Sequence, residues 1–170
     1  MRNVLLVFSV LLVLFSCTKQ RKAPQAEPIT QRSQPPTLPV GTDTMIYYSR
    51  GACFGMCPIF ELTILNNGRA VYTGKNHVDR IGRFTAQVSF SDVKHVLHKA
   101  EEIGYFQMNT AYDNDKVHDL PDITTYVAHE GTLHKVRNRY KGPASLRFLY
   151  NELDTLIEKQ QWQPSGSNQE

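Results

Sequence analysis

Apolar and polar residues alternate with a period of two along the first half of the folded stretch, and the period then lengthens to that of a helix. After Pro58, Phe60, Leu62 and Ile64 alternate with Glu61 and Thr63, the pattern of a half-buried strand. Phe84, Ala86, Val88 and Phe90 alternate with Arg83, Thr85, Gln87 and Ser89, which predicts a strand running as far as Phe90. Met45 to Ser49 is a shorter candidate. Asn67-Gly68 suits a two-residue hairpin turn, because both central positions tolerate positive φ, and that register sets Ile64 opposite Val71.

Helical spacing follows. Ser89 to Asp92 reads as an N-terminal capping box, Val93, Val96, Leu97, Ala100 and Ile103 share one helix face, and Gly104 supplies a stop. Asn109 to Asp122 is a polar loop. Ile123 to His129 and Leu133 to Val136 form a second hairpin across Glu130-Gly131. Gly142-Pro143 opens a last helix, with Leu146, Leu149, Tyr150, Leu153, Leu156 and Ile157 along one side. The order β-β-β-β-α-β-β-α predicts an α+β fold: an antiparallel sheet with two helices packed on one face.

The N-terminal pattern is of another kind. Val4 to Phe15 is an apolar run of twelve residues broken only by Ser9, too short to cross a bilayer but suited to the core of a secretory signal. Leu14 to Cys17, "LFSC", resembles a bacterial lipobox, with bulky Phe15 as its one departure. The expected organisation is a signal peptide over 1–16 and a lipidated Cys17 opening a disordered Pro/Gln-rich tether over 17–42. A single domain over 43–162 and a disordered tail over 163–170 complete it. Five of the nine prolines lie between Thr18 and Thr42, with few large apolar residues to order them. Fully extended, this tether reaches ~80 Å at ~3.3 Å per residue.

Charge changes the picture only by exclusion. The chain holds 19 Lys+Arg and 16 Asp+Glu. Five of those cations (Arg2, Lys19, Arg21, Lys22 and Arg32) and one anion (Glu27) precede Asp43, which leaves 14 against 15 in the rest of the chain. The basic balance therefore belongs to the tether, and a nucleic-acid partner is not expected.

"RGACFGMCPIFELTILNNGRAVYTG" (Arg50 to Gly74), "HDLPD" (His118 to Asp122) and "KGP" (Lys141 to Pro143) resemble the family of domain of unknown function 6438. That resemblance covers most of Met45 to Ile157 and implies an envelope protein of Bacteroidetes-like bacteria. It transfers no catalytic residue.

Three cysteines carry the candidate chemistry. If Cys17 is lipidated, Cys53 and Cys57 remain as a pair in an oxidising compartment, where a disulfide closing a tight loop is one reading. The other is a metal or thiol-redox carrier. C-x-x-x-C-P also resembles the copper-binding loop of Sco-type thioredoxin-fold proteins. Met56 adds a soft donor for copper, and zinc is the other candidate, with His129 or His134 of the second hairpin as a further ligand. Against carrier chemistry, Cys57 leads through Pro58 into a strand, so no helix N-terminus lowers its pKa.

Asp119 and Asp122 are close enough in sequence to suggest acid–base work, and His95 and His98 share a helix face with Asp92 and Glu102. No GxSxG, HExxH or GxxxxGK motif occurs. The expected function is a non-catalytic interaction or scaffold module of the envelope with a structural disulfide and no cofactor. Its lipid anchors it to a membrane, the outer membrane facing the periplasm, and its partner is another envelope protein.

Overall fold

A computed structural model describes residues 43–165. The expected signal peptide, the expected lipidation site Cys17 and the expected tether lie outside the described residues. Eight strands form one sheet: β1 (Thr44–Arg50), β2 (Ile59–Leu65), β3 (Arg69–Asn76), β4 (Gly82–Gln87), β5 (Ala111–Tyr112), β6 (Ile123–His129), β7 (Thr132–Asn138) and β8 (Gln163–Pro164). Two helices, α1 (Phe90–Glu102) and α2 (Leu146–Lys159), complete it. The sheet order is β5-β7-β6-β1-β2-β3-β4-β8.

The mixed α and β composition agrees with the pattern-based expectation, while the sheet is larger and not wholly antiparallel. Two strands are added. The polar loop before β6 contributes β5, which pairs parallel to β7 (Ala111 opposite Arg137). Arg137 and Arg139 both grip Asp113, the residue just after β5, and so hold it in place. At the other edge, Gln163–Pro164 pair with Phe84 and Thr85, so the domain continues past Trp162. Trp162 turns the chain back: its indole N–H donates to the Ile157 carbonyl at 2.8 Å, and its ring meets Tyr72 at 5.5 Å.

Alternation builds the core. Ile46 and Tyr48 of β1, Phe60, Leu62 and Ile64 of β2, Ala70 and Tyr72 of β3, and Val127 and Val136 of β6 and β7 are buried together with the apolar stripes of both helices. Each fully buried aliphatic side chain contributes ~1.5–3 kcal/mol through removal from water. α1 and α2 touch each other as well as this face of the sheet. Tyr105 lies wholly buried in a short 3-10 turn after α1, and its hydroxyl donates to the Thr125 carbonyl at 3.0 Å. Thr125, buried and polar, donates in turn to the Val136 carbonyl at 3.3 Å.

Two local expectations need correction. Asn67-Gly68 does not form a two-residue turn; Ile64 pairs with Ala70, and Val71 pairs with Thr63 on the opposite face. Only Gly68 takes positive φ (79°), so the loop is the three-residue form, Asn66 to Gly68, closed by the Gly68 N–H on the Leu65 carbonyl at 2.9 Å. β4 ends at Gln87 instead of reaching Phe90, because Ser89 caps α1: its Oγ accepts from the Asp92 N–H at 3.1 Å. Phe90 thus starts a helix and is exposed. The second hairpin turns across Glu130-Gly131 with positive φ at both residues, as its sequence suggests.

Candidate functional site

The segment from Arg50 to Pro58 leaves the end of β1 and returns as β2. Arg50 stands two residues beyond Tyr48 and shares its face, so at the rim of the sheet its guanidinium reaches α2. It donates through Nη2 to Asp154 Oδ2 and through Nε to the Tyr48 hydroxyl, which itself donates to Asp154 Oδ1 at 2.9 Å. The guanidinium carbon lies 5.5 Å from the Tyr48 ring centre and 5.9 Å from that of Phe60. Burial raises the Asp154 carboxyl above its ordinary value, although Arg50 pulls the other way. Burial also pushes the Tyr48 phenol upward, so it stays a donor at any physiological pH.

Past Arg50 the loop is strapped to the segment that leads into β6. The Gly51 N–H donates to the Asp122 carbonyl at 2.8 Å, and the Phe54 N–H to the Asp119 carbonyl at 3.2 Å. Cys53 and Cys57 form a disulfide with their Cα atoms 5.8 Å apart. The closed ring leaves two large apolar side chains in water: Phe54 is 94% exposed and Met56 85%.

Beside the loop lies a cleft of about 270 Å³ between α2 and the β3–β4 connection, with Phe60, Tyr72 and Val78 among its apolar walls and Arg50, Arg80 and Asp154 among its charges. The connection folds tightly onto β3. A Cβ on Gly74 would lie 1.7 Å from the Arg80 carbonyl oxygen, so only glycine admits this path. His77 takes positive φ (50°) and bonds through Nδ1 to the Cys57 carbonyl at 3.2 Å. Since a carbonyl only accepts, Nδ1 is the donor in this contact.

His129 and His134 share a face with Val127 and Val136, as the turn predicts. His134 bonds through Nε2 to the Met108 carbonyl at 3.1 Å, with its ring against Tyr105 at 5.4 Å. His129 stacks on Phe106 at 4.3 Å. A groove of about 700 Å³ opens beside this pair, between α1 and the β6–β7 hairpin, with Met45, Leu97, Ala128 and Leu133 as apolar lining.

The structure does not bring the hairpin histidines to the cysteines. Arg50 lies opposite Ile123 at the start of β6, whereas His129 ends that strand. Six residue steps at ~3.3 Å separate the two ends by ~20 Å. Cys53, Cys57 and Met56 thus follow the Arg50 end of this strand pair, while His129 ends β6 and His134 stands opposite Val127.

The remaining candidates serve contacts within the fold. Asp122 accepts from Arg137 Nε at 2.6 Å, and Arg137 also reaches Asp113 at 2.7 Å. The paired Asp119 and Asp122 are therefore employed differently, one through its backbone carbonyl on Phe54 and one through its side chain on Arg137. His95 on α1 lies 3.2 Å from Glu152 on α2. The Arg50–Asp154 link, which spans 104 residues, has no local sequence signal.

No curated protein matches the chain at a significant level. A family model does match, over residues 44–157, from the first residue of β1 into the last turn of α2. It is described as a domain of unknown function (DUF6438), and its span takes in the stapled loop, the Arg50–Asp154 link and both hairpins. On that match the chain belongs to the family of domain of unknown function 6438.

Proposed function

We propose that this chain is a non-catalytic interaction module of the bacterial cell envelope, with the stapled loop as its contact surface. The observation that carries the reading is the pairing of a disulfide with exposed apolar side chains. Phe54 and Met56 stand 94% and 85% exposed on a ring that the Cys53–Cys57 bond closes. Exposed apolar surface is worth ~25 cal/mol per Å² when a partner covers it, and a closed loop loses little freedom in the process. Lipid on Cys17 anchors the module, and residues 18–42 act as its tether, at the outer membrane facing the periplasm. The near-neutral domain needs no nucleic acid, and nothing in this role requires a cofactor.

A photo-crosslinking residue at position 54, in intact cells, tests this reading. Discrete crosslinked species are expected there and not from a control at Lys94 on α1. Equal labelling at both positions overturns it. So does tight Cu(I) or Zn(II) binding by the reduced chain that vanishes when Cys53 and Cys57 become serine, an outcome that favours the carrier.

A further inference from the structure

We propose that the cleft between α2 and the β3–β4 connection binds a small α-amino acid with an apolar side chain, held as its zwitterion. This site goes beyond the loop's role as a contact surface and does not depend on it.

Opposite charges stand on the two walls of the cleft without closing on each other. Arg80, half-buried, belongs to the β3–β4 connection, and Glu158, exposed, lies on α2 one turn beyond Asp154. Neither enters an ion pair among the described residues. The other arginine of the cleft, Arg50, is already bound to Asp154, and both carboxylate oxygens of Asp154 are taken. Asp79, exposed beside Arg80, adds a second carboxylate. A ligand of one sign would be attracted by one wall and repelled by the other. A zwitterion suits both, with its carboxylate on the Arg80 guanidinium and its ammonium on Glu158 and Asp79.

Between these charges the surface is apolar. The buried rings of Phe60 and Tyr72 stack at 5.6 Å, and Val78 and Ile157 join them in lining the cleft. Burial raises the Tyr72 phenol above its ordinary value, while Arg80 draws it down and Asp79 pushes it up, so both charges act near its hydroxyl. Pockets for larger ligands run ~300–1,000 Å³, so a cleft of about 270 Å³ suits a molecule of single-residue size.

Both walls are built before a ligand arrives. The bare Gly74 lets the Arg80 carbonyl lie against β3, and Arg50 ties Asp154, and with it α2, to the end of β1. A site fixed in this way gives up little freedom on binding.

An NMR titration of the mature chain, with Cys17→Ser in place of the lipidated residue, decides the matter with L-leucine as the probe. Saturable shifts at residues 78–80 and 154–158 are expected, with a Kd of about 1 mM or tighter. Arg80→Gln should weaken leucine by about tenfold and leave leucinamide, which lacks the carboxylate, unchanged. Glu158→Gln should weaken leucine by only about threefold, since this carboxylate is exposed, and leave N-acetyl-leucine, which lacks the ammonium, unchanged. Both blocked forms should bind the native chain more weakly than leucine does. The absence of saturable shifts with leucine, methionine and phenylalanine overturns the proposal, as does leucine binding that is indifferent to Arg80→Gln. N-acetyl-leucine binding as tightly as leucine also overturns it, and would make the ligand the C-terminal residue of a peptide.

Discussion

Arg50, the last residue of β1, donates to Asp154 in the middle of α2, across 104 positions of sequence. Tyr48 completes the link by donating to the other carboxylate oxygen. Arg50→Met leaves Asp154 without its counter-charge in a partly buried site. Fully buried pairs lose ~3–5 kcal/mol when broken, but these side chains are 24% and 36% exposed, so a loss of about 2 kcal/mol is expected. Urea denaturation measures it, and Arg50→Met with Asp154→Leu should recover part of the loss. No recovery in the double variant would show that the charge pairing is not what matters there.

The disulfide closes a very small ring, so its removal should be mild for the domain as a whole. Loop entropy assigns ~2 kcal/mol to a ring of this size. Cys53→Ser with Cys57→Ser should lower the unfolding free energy by about that amount, moving the denaturation midpoint down without changing the slope. Limited proteolysis should then cut within the 51–57 loop first. A loss of cooperative folding would instead make the bond a global staple.

Gly74 should tolerate no side chain. Its added Cβ would meet the Arg80 carbonyl at 1.7 Å and Val78 Cγ2 at 2.9 Å. Gly74→Ala must push the β3–β4 connection off the strand, at a cost of ~1–3 kcal/mol typical of overpacking. Amide shifts confined to residues 74–82 and α2, read by NMR, are the expected signature. An unchanged melting temperature would contradict it.

Asp92 makes stability depend on acid. The hydrogen bond from Lys159 holds its carboxylate below the usual 3.8, with Ser89 adding to the effect. The unfolded chain therefore takes up this proton more readily than the folded one. The stabilisation is complete above pH ~4 and fades as pH falls through the lower folded value. Melting curves should show the native chain above Asp92→Asn at neutral pH, with the gap closing below pH ~4. A constant gap at every pH would sink the assignment.

Membrane attachment is tested apart from the fold. Cys17→Ser should move the chain from the membrane fraction to the soluble fraction without altering the melting of the domain. Continued pelleting with membranes would point to a different anchor.

The elements with strong periodicity were legible in the sequence, and the reasons are local. Phe60, Leu62 and Ile64 declare a strand, and Leu146 to Ile157 a helix, because burial on one face sets the pattern. Ser89 announces its cap through chemistry within one turn. What stayed hidden depends on distant partners. β5 exists because Arg137 and Arg139 seize Asp113, and β8 because Trp162 lies on Tyr72. The two hairpins teach the same lesson from the other side. Glu130-Gly131 adopts positive φ at both positions, while the more permissive Asn67-Gly68 uses it only at glycine. The surrounding pairings, not the dipeptide, select the turn. The exposure of Phe54 and Met56 could not be read from their neighbours either, since it follows from how the loop is strapped.

β1 gives the domain a mechanical character. Residue 43 lies at one end of this strand and the stapled loop at the other, with antiparallel partners β2 and β6 bonded along both flanks. Tension applied between a tether at residue 43 and a captive loop would run lengthwise through β1. Both ladders would then be loaded in shear, with their bonds resisting at once instead of opening one by one. A pull of that kind would meet its resistance along β1, between its two antiparallel partners.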